Sequence, residues 1–415
     1  MTAIRAGICV LVAFSVLAHG AVEPWSEAIL EIGAASLFLL WGILAIRQRQ
    51  LEICWNWLYL ALLPLGAFAL AQELLGFSVY PYATKVELLK WGAYLLLFFL
   101  TVETFHTAEQ WKLFVWFLVS FGFFVSLFAI IQYFTFNGRL YWFRVLRHGG
   151  LPFGPFVNHN HFAGFVELTD PFGLAMLFSG AVGRDKLTLL TFLTILPIGA
   201  LVLSASRGGI ASFLFELALL TFLVRRRGKG GRQLLTASGL ALVAGFLSIW
   251  LGASGSVERF ESLTHGEISL DRRLSVARDT WQIFHHHPWT GTGLGTFETV
   301  YPRYESYYDG LVVDHAHNDY LELLADTGLV GGVCMLGFII LLAWRGLFNL
   351  RAARNPVCRS LYAGSLVACA GLLLHSTVDF NSHIPSNALL FFLLAAMATG
   401  HIAEPGQRQP QASLL

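Results

Sequence analysis

Residues 111–134 read WKLFVWFLVSFGFFVSLFAIIQYF, and Lys112 is the only charge among them. An α-helix rises about 1.5 Å per residue and the hydrocarbon core of a bilayer is about 30 Å thick, so a span needs about 20 apolar residues. The stretch meets that length and carries no polar face on which a soluble core helix would meet water. Comparable runs precede it at 4–20, 28–46, 54–72 and 86–104. Others follow at 158–180, 187–204, 207–224, 233–251, 328–349, 360–378 and 386–402. The whole chain shares this character: 56% of its 415 residues are hydrophobic and 13% charged, against about 25% charged in soluble domains. The expected fold is all-α, a polytopic membrane helix bundle of about twelve transmembrane helices.

The spacing of the runs divides the chain. Residues 1–251 carry spans one to nine, 252–327 form one long polar loop with short amphipathic helices, and 328–403 carry spans ten to twelve. Residues 404–415 form a tail. Residues 1–21 also have the outline of a signal peptide, but the many spans that follow favour a retained first helix. Lys and Arg cluster at Arg47 and Arg49, at Lys112, at Arg184 and Lys186, at 225–232 and at 351–359. The loops at 21–27, 73–85 and 379–385 hold only Lys85. The positive-inside rule therefore sets both termini in the cytoplasm and the 252–327 loop on the periplasmic side of an inner membrane. The net charge of +1 points to no nucleic-acid partner. Cys9, Cys54, Cys334, Cys358 and Cys369 show no CxxC spacing and none lies in the long loop, so neither a disulfide framework nor a thiolate metal site is expected.

One outer loop breaks the charge pattern. Residues 135–157 mix Arg139, Arg144, Arg147 and His148 with Tyr141, Trp142 and Phe143. That composition suits an interfacial segment at headgroup level, and Arg144 and Arg147 also offer a basic surface to an anionic lipid head. In the long loop, Leu274, Ala277, Trp281 and Phe284 recur at helical spacing and predict a helix over 271–287 with those residues as its packed stripe. His285, His286 and His287 end it before Pro288, and Gly291, Gly293 and Gly295 mark a flexible turn. A second helix is expected over 317–327, where Asp319 and Glu322 have capping-box spacing.

Three features carry candidate chemistry. Arg207 stands before Gly208 and Gly209 at the outer junction of two spans, where a phosphate can approach the backbone closely. Arg273 lies on the first loop helix. Asp314-His315-Ala316-His317-Asn318-Asp319 opens the second, and histidine titrates near neutrality, so it can take a proton from a hydroxyl nucleophile. The spacing of this cluster fits no zinc template, and no metal or other cofactor is expected there. Within the spans, Glu167, Asp170 and Glu216 are costly in lipid and either functional or paired with neighbouring helices. His375, Asp379, Asn381 and His383 gather at the outer side of the last two spans and are expected to line the same cavity.

The stretch from His317 to Gly331, HNDYLELLADTGLVG, resembles the signature of the O-antigen ligase and polymerase superfamily. Arg273, Trp281, His287-Pro288, the glycines of 291–295 and the Ser206-Arg207-Gly208-Gly209 turn fit the same resemblance. It implies a metal-independent, inverting glycosyltransferase of the membrane that takes its glycan from undecaprenyl diphosphate. It further implies that Arg207 and Arg273 contact the diphosphate, with His317 as the base that activates an acceptor hydroxyl and Asn318 and Asp319 beside it. Stretches 156–164, with His161, and 375–385, with His383, resemble a ligase-like subgroup that includes exopolysaccharide polymerases, and both histidines are candidate substrate contacts. The partners implied are the lipid-linked glycan, the bilayer, and a glycan, lipid or protein acceptor. Polymerization of lipid-linked repeats and glycosylation of a protein remain alternatives. Transport without chemistry fits less well, because no inverted repeat accompanies the single long loop.

Overall fold

The computed structural model describes residues 1–48, 53–145, 152–224, 239, 270–308, 310 and 312–404. Outside the described residues lie the ninth expected span apart from residue 239, positions 252–269 of the long loop, Arg147, the basic run at 225–232 and the tail from 405. Among the described residues every regular element is helical, and the β-type pairings are isolated bridges. The helices are α1 (Thr2–Leu17), α2 (Pro24–Gln48), α3 (Tyr59–Leu74), α4 (Pro81–Thr104), α5 (Ala108–Phe134), α6 (His159–Ser179), α7 (Arg184–Leu203) and α8 (Arg207–Val224). They continue with α9 (Leu270–His286), α10 (Phe297–Val300), α11 (Asp319–Ala352), α12 (Pro356–His375) and α13 (Pro385–Thr399). Short 3-10 turns occupy His19–Ala21, Tyr301–Arg303 and Asn381–His383.

Among these, α2, α5, α7, α8, α11 and α12 are each long and apolar enough to cross a membrane, while α1, α3 and α13 are apolar but shorter. Leu39, Ile43, Phe124, Phe192, Phe222 and Ile340 stand exposed on the outside of the bundle, the surface that lipid tolerates and water does not. The chain is a multi-pass membrane protein.

At the centre stands α6, in which every residue except Leu177 is buried. Its Asn158 side chain caps the first turn and Gly180, at φ 64°, ends it in the left-handed conformation that favours glycine. The helix packs against α7, α8 and above all α12. Small residues let the backbones approach: a Cβ at Gly364 of α12 would lie 2.7 Å from the Phe172 ring and 3.2 Å from its Cα. Enclosure by protein explains how α6 carries Glu167 and Asp170 at membrane depth. The Glu167 Oε1 atom lies 2.9 Å from His375 Nδ1 of α12.

Two expectations change in detail. The helix at 317–327 and the span at 328–349 form one element, α11, broken at Gly328 (φ 61°, ψ −158°). Side chains are excluded there, since a Cβ would meet the Trp289 backbone at 2.5 Å. The packed stripe of α9 is also not the expected one. Leu274 and Trp281 are 61% and 48% exposed, whereas Val276 and Ile283 are fully buried in a small core with Phe297, Tyr301, Val313 and Ala325. Polar anchors set that rotation: Arg272 pairs with Glu305, and Asp279 Oδ2 accepts from Ser306 N at 3.0 Å and Tyr301 OH at 3.3 Å.

The α6–α12 contact yields a stability prediction. Gly364→Val overpacks it at a cost of about 1–3 kcal/mol and lowers the melting temperature in detergent. Gly42→Val, with open space at its Cβ, leaves melting unchanged. Thermal unfolding followed by tryptophan fluorescence checks the pair, and equal melting of the two variants would refute the packing argument.

Candidate active site

The last turn of any helix leaves carbonyl oxygens without intrahelical partners. In α12 most of them are taken by the N–H groups of Ser376, Thr377 and Val378, and the carbonyls of Leu373 and of residues 376–378 find donors from two other elements. Tyr320 OH donates to Leu373 O at 2.6 Å, and the Asp319 backbone N–H to Ser376 O at 3.0 Å. Asn318 Nδ2 donates to Thr377 O at 2.9 Å, and Arg273 Nη1 to Val378 O at 3.1 Å. The start of α11 and the side of α9 are thereby fastened to one short ridge, residues 373–380. A guanidinium at that point also matches the negative end of the helix dipole.

Arg207 stands beside the same ridge at the start of α8, where its neighbour Gly208 packs against it. It is the first residue of that helix and is exposed, and a Cβ on the adjacent Gly208 would lie 2.7 Å from His375 Nε2 and 3.2 Å from Val378 Cγ2. Glycine is required there by close approach. His317 comes to the ridge from the other side. Its backbone is left-handed (φ 50°), its Nδ1 lies 3.7 Å from Asp379 Oδ1, and its ring stands 5.0 Å from that of Phe380. At that distance Nδ1 is not hydrogen-bonded to Asp379, and it is a buried nitrogen without a partner among the described residues. The structure thus brings Arg207, Arg273, His317, Asn318 and Asp319 to one ridge.

His161 is buried on the inner side, its ring 4.9 Å from Phe380. Asp379 is buried among His161, His317 and His375. Burial opposes its charge, but the surrounding histidines outweigh that and hold its carboxyl well below the usual range. Uncompensated, a buried carboxylate costs several kcal/mol, so the histidines and Asp379 hold one another in place. Arg144 stands apart from the ridge: its Nη1 is 2.6 Å from His19 Nε2 and its Nη2 pairs with Glu23. Its charge is engaged between α1 and α2 rather than offered to a ligand. Arg147 lies outside the described residues.

Two parts of the site escaped the sequence reading. The cap of α11 is Asn318, whose Oδ1 accepts from Tyr320 N and Leu321 N, rather than an Asp319–Glu322 box. That frees both carboxylates for other partners. Asp319 accepts from His383 Nδ1 at 2.9 Å and Ser382 N at 3.1 Å. Glu322 meets His315 Nδ1 at 2.8 Å, His383 Nε2 at 3.2 Å and Ala316 N at 2.7 Å. Burial disfavours the charged His383 ring, yet the Glu322 charge and the Asp319 hydrogen bond push its pKa up to about 10. The glycine turn at 291–295 is packed rather than loose: Gln72 Nε2 donates to Thr290 O and Asp326 O, and Gly295 N to Asp326 Oδ2.

Beside Asp319 and His383 opens a largely apolar cavity of about 100 Å³, walled by Leu62, Trp91, Phe338 and Phe392 from α3, α4, α11 and α13. Arg207, Arg273 and His317 do not line it.

Residues 192–336, from within α7 to within α11, match the family model described as O-antigen ligase. The match covers about a third of the 415 residues. The matched stretch holds Arg207, Arg273 and His317, while the 373–380 ridge lies beyond it. Among curated proteins no relative matches the chain.

Asn318 both caps α11 and bridges to Thr377, so the two roles separate by substitution. Asn318→Ser keeps a cap acceptor and loses the bridge, whereas Asn318→Ala loses both and a further ~1 kcal/mol. Melting temperatures are expected to fall in the order wild type, Ser, Ala. A Ser variant as unstable as Ala would remove the cap from the argument.

Proposed function

We propose that the protein transfers a glycan from undecaprenyl diphosphate to an acceptor hydroxyl on the periplasmic side of the inner membrane, with both termini in the cytoplasm. The observation that carries this reading is that Arg273 and His317 meet the 373–380 ridge, with Arg207 beside it next to Gly208, in a chain whose residues 192–336 match the O-antigen ligase model. Residues 1–251 and 328–403 are the membrane parts in this scheme, and 252–327 the catalytic loop.

In the proposed step, His317 takes the proton of the acceptor hydroxyl as its oxygen attacks the anomeric carbon. The bond from that carbon to the diphosphate oxygen breaks, its electron pair leaves with the diphosphate, and a single displacement inverts the centre. Negative charge grows on the leaving group, and guanidinium forks match its oxygens in bidentate fashion. Two fixed cations supply the stabilization that a divalent ion gives in other phosphate chemistry, so no metal is needed at the diphosphate. Asp379 stands behind the imidazole and favours the imidazolium formed. Asn318 and Asp319 hold the loop that carries His317, and His161 and His383 are further candidates for substrate contact. The apolar cavity beside Asp319 offers a wall for isoprene units of the lipid.

The test is release of undecaprenyl diphosphate from the lipid-linked glycan by purified protein in nanodiscs, in magnesium-free buffer. His317→Ala is expected to lower turnover by about 10²–10⁴-fold, the usual contribution of a general base. A His317→Ala variant as active as wild type would exclude the base assignment, and no turnover by folded, lipid-binding protein would favour transport. Product mass identifies the acceptor, and with it ligase, polymerase or protein glycosylation.

The arginines make a separate prediction. Arg207→Ala and Arg273→Ala are each expected to lose about 10²–10³-fold, as when one transition-state donor is removed. Lysine at either position, a point charge without the fork, restores part of that loss. Kinetics in which alanine and lysine variants are equally active would argue against charge stabilization.

A further inference from the structure

We propose that His315, Glu322 and His383 form a binding site for a divalent first-row transition ion, with Zn²⁺ as the best chemical match. This inference does not rest on the transfer reaction. The three ligand atoms lie within 4.8 Å of one another. His315 Nδ1 and His383 Nε2 both converge on a single oxygen, Glu322 Oε1, at 2.8 and 3.2 Å. Two imidazole nitrogens facing one carboxylate oxygen require either a proton on each or one cation shared by all three.

The surroundings are organized as metal sites usually are. Asp319 Oδ1 holds His383 Nδ1 at 2.9 Å, which turns Nε2 inward and fixes the tautomer. The second Glu322 oxygen accepts Ala316 N–H at 2.7 Å, leaving Oε1 for the ion. Phe380 stacks on His315 with ring centroids 4.5 Å apart. Glu322 is 3% exposed and the imidazoles 28% and 20%, so the anionic ligand is buried while the histidines border solvent.

Zinc arms of about 2.0–2.1 Å place tetrahedral ligands about 3.3 Å apart. The His383–Glu322 separation already fits, and the His315–Glu322 pair needs to open by only a few tenths of an ångström. One carboxylate with two imidazoles suits zinc rather than magnesium or calcium, which take oxygen ligands. Two histidines and a glutamate also leave a fourth position for water. The ion would tie the loop before α11, the first turn of α11 and the Asn381–His383 turn together, two residues from His317. Its role is to brace that loop, apart from the diphosphate.

The experiment uses full-length protein purified without a polyhistidine tag, stripped with EDTA and reloaded with Zn²⁺. Wild type is expected to retain stoichiometric zinc after desalting, to melt higher with zinc than without, and to give tetrahedral ligand-field bands with Co²⁺. Glu322→Gln, which keeps a hydrogen-bonding side chain of the same shape, and His383→Ala are expected to lose all three signals. Asp319→Asn should weaken binding by about 10–100-fold, as removal of an outer-shell partner does. The double variant His285→Ala/His286→Ala, at the end of α9, should bind as wild type does. Folded wild type that retains no zinc overturns the proposal, as does zinc binding lost in the His285/His286 variant but kept in Glu322→Gln. Neither result depends on transferase turnover, so failure of this site and failure of the transfer reading are distinguishable.

Discussion

The constraint on which the site depends is the turn of chain by which α12 ends. The N–H groups of Ser376, Thr377 and Val378 fold back onto the carbonyls of Leu372, Leu374 and His375 and close the helix from within, so the carbonyls that follow it are free to take other donors. Here the carbonyls of Leu373, Ser376, Thr377 and Val378 each receive a donor from residues 318–320 or from Arg273. These four bonds, at and just past the end of α12, dock α9 and the start of α11. Arg273 and the loop that carries His317 are thereby placed by the chain that leaves the helix. Placement of this kind is rigid, because shifting the loop exposes several polar groups at once.

The helical class, and the six helices long and apolar enough to cross a membrane among the described residues, were readable because lipid imposes a length and a composition that few soluble segments share. Residues 111–134 are the plainest case, and α5 covers them with only its first turn added. What periodicity could not supply was rotation. In α9 the spacing of Leu274, Ala277, Trp281 and Phe284 is a sound helical stripe, yet Val276 and Ile283 are the buried pair. Two overlapping stripes existed, and Arg272 and Asp279, bonded to Glu305 and to Ser306, decided between them. The charged residues Arg272 and Asp279 are therefore anchors of that helix. Likewise α6 shows no amphipathic face because protein surrounds it on all sides, which makes its carboxylates readable as functional or paired without showing which partner each takes.

The site was legible where residue type alone is telling: an arginine between a serine turn and two glycines, and a histidine before a helix. Its wiring was not. Asp379 lies 62 positions from His317 and Glu167 lies 208 positions from His375, separations over which no local pattern carries information. Glu322 was legible as a helix-start residue, and its partner His383 was noted at the outer edge. The bond between them depends on Asn318 taking the cap, and asparagine, aspartate and serine cap about equally well, so two adjacent candidates could not be ranked from sequence.

Charge complementarity bears on where a diphosphate would lie. The C-terminal end of α12 carries about half a negative charge and is by itself a poor neighbour for an anion. Its carbonyls are capped, and Arg273 neutralizes the outermost of them, but this leaves one guanidinium partly spent on protein. Arg207 differs. It opens α8, whose N-terminal end carries the opposite partial charge, and its side chain is exposed beside the close approach of Gly208 to His375. The carboxylates Asp319 and Glu322, meanwhile, are gathered on the side of the ridge where the apolar cavity opens, held by His383 and His315. An anion approaching the ridge would then favour the Arg207 side, with Arg273 completing the clamp and the acceptor hydroxyl entering from His317. In the proposed reaction the division of charge across the ridge, more than any single residue, would set the direction of transfer.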